Sequence, residues 1–167
     1  VIKNPKIIAI KLIRSKLFNV IPDEIYLKIQ YKLYIGKNID FKHPKTFNEK
    51  LQWLKLYDRK PEYTRYVDKY EVRSYISQKI GEEYLIPLLG VYNSVDEIDF
   101  SKLPNQFVLK CTHGSHCNII CTNKDKLDLE DAKRKLSQWM KKSWFWFGRE
   151  WPYKNVKPRI ICEKYMI

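Results

Sequence analysis

The sequence predicts an α+β protein in which a helical N-terminal region precedes a unit of β-hairpin, helix and strand. Three observations predict it. Helix caps and stop signals recur in the first half, at Thr46 to Glu49 and at Asp68 to Gly81. Two β-prone runs, Phe107 to Cys111 and Asn118 to Thr122, flank a polar turn. Beyond them an apolar pattern of helical period gives way to a last β-prone run, Arg159 to Met166.

In chain order, residues 1–20 carry only basic charges, Lys3, Lys6, Lys11, Arg14 and Lys16. With Ile10, Ile13, Leu17 and Val20 or Ile21 at helical spacing, they predict a basic amphipathic helix. Such a stripe ordinarily packs on the rest of its protein; peripheral contact with an anionic membrane is the alternative. Thr46 and Glu49 have capping-box spacing, so a helix with Leu51, Trp53, Leu54 and Tyr57 should begin near Thr46. Asp68 to Glu71 repeats an acidic cap before Val72, Tyr75, Ile76 and Ile80, and Gly81 supplies the stop. Tyr84 to Tyr92 predicts a short buried strand. The hairpin follows, with its tip at His113-Gly114-Ser115-His116 and Lys110 near the strand exit. From Asp128, the residues Leu129, Ala132, Leu136, Trp139 and Met140 predict a helix with acids in its first turn and Lys141 and Lys142 in its last.

Composition narrows the classes. The chain has 167 residues, 44% hydrophobic and 14% aromatic, with five Gly and eight Pro and no fixed-period repeat. Disorder, solenoid and fibrous readings fail. The early apolar run Ile7 to Ile10 is broken by Lys11 and Arg14, well short of the ~20 residues a spanning helix needs, and it makes no signal peptide. The chain is expected in the cytoplasm, with the inner membrane face as a further expectation. Cys111, Cys117, Cys121 and Cys162 do not form a secreted pattern and are expected as reduced thiols. The start at Val1 and the end at Ile167, just after a strand-like run, suggest a piece of something longer.

The net charge of +13 is divided. Residues 1–80 carry 18 basic and 8 acidic side chains, residues 81–100 none and 5, and residues 101–167 carry 14 and 6. A nucleic-acid partner would call for a more continuous footprint, so it is not expected.

The segment Phe107 to Ile120 is the richest in chemistry. A strand delivering Lys110 into a turn with Gly114 and Ser115 can bind phosphate through ammonium, turn N–H groups and hydroxyl. It is not a Walker A loop, for it lacks Gly-Lys-Ser/Thr before a helix. Zinc binding by Cys111, His113, His116, Cys117 and Cys121 is disfavoured, because no Cys-x-x-Cys pair recurs. Trp144 to Tyr153 holds six aromatics, more in keeping with packing than with sugar or base stacking, and Arg149 is a candidate contact for an anionic substrate.

Several motifs together resemble the TupA-like branch of the ATP-grasp superfamily, associated with teichuronopeptide and surface-polysaccharide biosynthesis. They are Pro44-Lys45-Thr46-Phe47-Asn48-Glu49-Lys50-Leu51-Gln52-Trp53-Leu54, Asp68-Lys69-Tyr70-Glu71-Val72-Arg73, Gly81 to Gly90, Phe107 to Ile120, and Gly148-Arg149-Glu150-Trp151 through Ile160. The resemblance implies an incomplete ATP-grasp domain: a helical region over 1–60, a helix-strand segment over 61–104, and a lid subdomain over 105–167 that stops at the hinge strand. It implies that Lys69 and Lys110 contact ATP phosphates and that the loop with His113, Gly114, Ser115 and Asn118 closes over them. Glu163, Lys164 and Met166 would form the adenine hinge, the Lys164 carbonyl accepting from the adenine amino group and the Met166 N–H donating to the ring. The cofactor implied is ATP, with Mg²⁺ in the full-length enzyme on ligands from a later half absent here. The partners implied are the nucleotide and an anionic carboxylate or glycan substrate. The loop departs from the family's His-Gly-Ser-Gly-Gly-Asn by carrying His116 and Cys117. The function implied is that of the N-terminal portion of a carboxylate ligase-like enzyme forming an acyl phosphate. The alternatives are a degenerate, non-catalytic module for anionic glycan, lipid or nucleic acid, and a glycosyltransferase, as members are often labelled.

Overall fold

The computed structural model describes residues 5–166. In chain order it holds α1 (Pro5–Ile13), α2 (Asp23–Ile35), α3 (Phe47–Tyr57), α4 (Glu62–Val67), α5 (Glu71–Ile80), β1 (Leu88–Tyr92), β2 (Phe107–Cys111), β3 (Asn118–Cys121), α6 (Leu129–Met140), α7 (Phe145–Gly148) and β4 (Ile160–Lys164), with short 3-10 turns between. The α+β class is as expected. The chain divides into two compact units: one holds the described residues up to Lys60 with Phe145–Trp151, the other runs from Pro61 to Trp144 and resumes at Pro152.

In the first unit, Ile13, Tyr26, Leu27, Tyr31, Ile39 and Phe41 form the core, with Phe18, Ile21, Trp53 and Leu56 packed against it. The single helix expected over residues 1–20 is corrected for the described part. After Ile13 the chain turns at Ser15 into a 3-10 segment, Lys16–Val20, which leaves Leu17 and Val20 outside and turns Phe18 toward the core. Residues 1–4 lie outside the described residues. α3 starts where its cap predicts. Thr46 Oγ1 accepts from the Glu49 N–H at 3.3 Å, and the Glu49 carboxylate accepts from the Thr46 N–H at 2.8 Å, a cap worth about 1 kcal/mol.

The second unit is built on one antiparallel sheet in the order β1-β4-β2-β3. Alternation gives it two faces. Phe107, Leu109, Cys111, Ile160 and Cys162 point to the core, which α6 completes with Leu136. Val108, Lys110, Ile161 and Glu163 share the other face. α6 is capped by Asp128, whose carboxylate accepts from the Asp131 N–H at 2.9 Å. The last turn holds no cation: α6 ends at Met140, Lys141 is its C-cap and Lys142 follows, so both lie just past the turn in which they were expected.

The strand expected from Tyr84 begins later. Pro87 cannot donate to a ladder, Tyr84 ends a 3-10 turn, and β1 is an edge strand with no buried residue. Its register shifts between Leu88 and Gly90. No helix among the described residues is long and apolar enough to cross a membrane.

Candidate functional site

The hairpin register carries the first part of the site. Lys110 pairs with Asn118 on β3 and Ile161 on β4, while Val108 pairs with Ile120 and Glu163. Two rows therefore lie side by side on one face: Asn118, Lys110 and Ile161, then Ile120, Val108 and Glu163. Lys110 and Glu163 are diagonal neighbours, within reach of long side chains. The ammonium donates to Glu163 Oε2 at 2.6 Å. Arg73 from α5 donates to the other oxygen, Oε1, at 3.0 Å, and to the Ile86 carbonyl at 2.7 Å. A carboxylate only 6% exposed is thus held between two cations, the condition under which a buried charge is tolerated. Ile120, 63% exposed, and half-buried Val108 lay an apolar floor beside the cation.

The second part comes from the segment that starts α5. Asp68 Oδ1 accepts from the N–H groups of Tyr70 and Glu71 at 2.9 and 3.3 Å, ordering the turn that leads into α5, whose N-cap is Tyr70. Its other oxygen meets Arg159 at 3.4 Å, and Arg159 also donates to Glu71 at 2.6 Å. Lys69 is thereby brought over the hairpin turn. Its N–H donates to the Thr112 carbonyl at 3.3 Å, and its ammonium donates to the carbonyls of Cys111, at 3.1 Å, and of Gly114. Burial lowers the Lys69 pKa.

Thr112 fixes the turn to the entry of β4: its N–H donates to the Arg159 carbonyl at 2.9 Å, and its hydroxyl accepts from the Arg159 N–H at 3.2 Å. Asp68, Thr112, His113 and Glu163 are four of the five buried polar side chains among the described residues, and all stand around this one place. Buried polar groups demand partners, so their gathering marks a rigid, specified site.

The expected loop residues separate into two kinds. Ser115, His116 and Asn118 are exposed. His113 turns inward instead, only 3% exposed, with Nε2 at 3.1 Å from the Trp139 carbonyl. Burial lowers its pKa, so the ring is neutral and Nε2–H donates. A Cβ at Gly114 would run into the Trp144 indole, so that glycine is required for space. His116 holds φ 59°, a left-handed conformation that usually falls to glycine.

Lys164 ends β4, exposed, with its N–H donating to the Pro87 carbonyl at 2.9 Å; Met166 is also exposed. An open groove of about 620 Å³ begins at Arg73 and runs along Tyr70, Gln78, Glu82, Leu85 and Pro87.

Arg149 is corrected. It belongs to the first unit, is 1% exposed, and donates to the carbonyls of Phe18 at 2.9 Å and Ile21 at 3.4 Å while facing Asp23 at 3.3 Å. Its guanidinium lies 4.4 Å from the ring centres of both Tyr26 and Trp146. A side chain so enclosed packs the aromatic cluster and offers nothing to a substrate.

Sequence reasoning missed Arg73, Arg159, Thr112 and Ile120. Ile120 could have been found from the hairpin register alone, since placing Asn118 opposite Lys110 puts Ile120 on the same face. All four cysteines are buried and unbridged. Burial raises the Cys111 and Cys162 thiols to about 12 and about 11. Among the described residues no three His, Cys, Asp or Glu side chains gather as a metal site.

An antiparallel sheet with Lys110 and Glu163 on one face and Lys69 set over its hairpin turn is consistent with an α+β ATP-grasp-like fragment. The chain belongs to the TupA-like ATPgrasp family, whose model matches residues 49–167. No curated protein and no solved structure matches it significantly.

Proposed function

We propose that this chain is the nucleotide-holding portion of an ATP-dependent, carboxylate ligase-like enzyme of cell-surface polysaccharide or teichuronopeptide synthesis. The observation that carries the nucleotide reading is the 2.6 Å pair between Lys110 and the buried Glu163, set beside the Lys69 ammonium in the same unit. An ammonium has three hydrogens. Lys69 gives two to loop carbonyls and Lys110 gives one to Glu163. The remaining N–H groups can meet phosphate oxygens.

ATP, when bound, supplies the phosphoryl group that activates a carboxylate. In this reading Glu163 and Arg73 fix the direction of Lys110, Val108 and Ile120 give the base an apolar surface, and Asn118 and Ser115 offer polar contacts from the loop. Lys164 and Met166 would contact adenine through their backbone. Mg²⁺, in this reading, is held by ligands from outside the described residues, among which no three His, Cys, Asp or Glu side chains gather. The polymer context, the acyl acceptor and the carboxylate substrate rest on the family resemblance.

Isothermal titration with ATP tests the nucleotide site. Saturable binding that weakens about tenfold or more in Lys110→Ala, the worth of a charge-assisted hydrogen bond, supports it. Heat of binding unchanged by that substitution would sink it.

One observation favours a second reading, a non-catalytic basic module for polyanions. The loop holds His116 at φ 59° and Cys117 buried where the family has glycines, which restricts how closely backbone can approach phosphate. Salt-sensitive binding to anionic glycan with no response to ATP would select it.

A further inference from the structure

Residues 5–22 precede the family match and take no part in the nucleotide site. Their inward side is accounted for: Ile13 is 3% exposed in the core, and Phe18 and Ile21 pack against it. The outward side is not. At about 100° per residue, Ile7, Ile8, Lys11 and Leu12 share one arc of α1 opposite Ile13. Ile7, Ile8 and Leu12 are 52%, 51% and 53% exposed, and the turn that follows leaves Leu17 at 79% and Val20 at 87%. Lys11 and Arg14 stand on or beside that arc, Lys16 opens the turn, and the first acid in the chain is Asp23.

We propose that this face, the outside of α1 and of the Lys16–Val20 turn, docks on an anionic lipid bilayer and lies in its headgroup layer. Charge complementarity selects that occupant. A nucleic acid would neutralise the cations and leave five large aliphatics in water. A second copy would bury the aliphatics and bring like charges together. An anionic bilayer accepts both, lysines at the headgroups and aliphatics at the acyl boundary. α1, with nine residues, is about 14 Å long and can lie on a bilayer without crossing it. The inference is independent of the nucleotide reading, since it uses none of the same residues.

Flotation of the full chain tests it, with vesicles of phosphatidylglycerol and phosphatidylethanolamine against vesicles of phosphatidylcholine alone. The expected result is co-flotation with the anionic vesicles only, reduced by added salt. Two double variants, Leu17→Ser with Val20→Ser and Lys11→Glu with Lys16→Glu, should each weaken partition by about tenfold or more. Both should keep the parent melting temperature, because the altered side chains are exposed. The proposal is overturned by absence of binding to anionic vesicles, by equal binding to both vesicle types, or by unchanged partition in both variants. Salt-sensitive RNA binding without vesicle binding overturns it too, as does a vesicle-free dimer in light scattering that the serine variant abolishes.

Discussion

Arg73 and Glu163, ninety positions apart in the chain, are joined at 3.0 Å, and the same Arg73 guanidinium reaches the Ile86 carbonyl at 2.7 Å. The side chain ties α5 both to the carboxylate that orients Lys110 and to the segment leading into β1. Truncation leaves Glu163 with one cation in place of two and Ile86 without its donor. Arg73→Ala should therefore cost about 2–4 kcal/mol in urea unfolding and also raise the ATP dissociation constant. Arg73→Lys, which restores charge without the two-point fork, should recover only part of either effect.

Lys69 should give nucleotide binding a pH dependence. Burial lowers its pKa from the ordinary 10.5, so the ammonium is lost earlier than that of a solvated lysine as pH rises. Affinity that depends on this charge is complete below the lowered value and declines above it. Titrations of ATP from neutral pH upward should show the decline centred below pH 10.5. In Lys69→Arg, whose charge persists, the decline over the same range should be smaller.

His113 works in the opposite region. Its folded pKa lies below the unfolded 6.5 because burial disfavours the imidazolium. Between the two values the unfolded chain binds more protons, so stability rises with pH there. The contribution is full above pH 6.5 and is lost as pH falls through the folded value. Urea midpoints across mildly acidic pH should show that loss, and His113→Gln, which keeps a donor for the Trp139 carbonyl, should reduce it.

Arg149 should behave as a structural residue. Arg149→Ala removes the donor to the Phe18 and Ile21 carbonyls and the stack on Tyr26 and Trp146. A loss of about 2–5 kcal/mol is expected by calorimetric or urea unfolding. The milder Arg149→Lys should lower the melting temperature and leave the ATP dissociation constant unchanged.

Local signals made much of this legible beforehand. The Thr46 and Glu49 box, the Asp68 turn ahead of α5, the Asp128 cap, and the hairpin about its turn are all set by neighbours within a few residues. The break after Ile13 was not, because no Gly or Pro marks it and the apolar spacing continues through it. Sheet order β1-β4-β2-β3 joins strands far apart in sequence, which no local pattern encodes. The same holds for the site. Lys110 could be singled out from its turn, but its partner Glu163 and Arg73 behind it depend on that order. Arg149 was misjudged for the converse reason: beside a Gly and a Glu it reads as a surface cation, and only the folded first unit encloses it.

The diagonal placement of Lys110 and Glu163 also bears on how the sheet finds its alignment. A slip of β2 by one residue would turn Lys110 toward Leu136 and put Leu109 where the cation stands. The misaligned sheet would bury an unpaired ammonium in the hydrophobic core and leave Glu163 facing an aliphatic chain. The charges that suit this face to a ligand thus act earlier, during folding, as a penalty on pairings of β2 with β4 that slip by one residue.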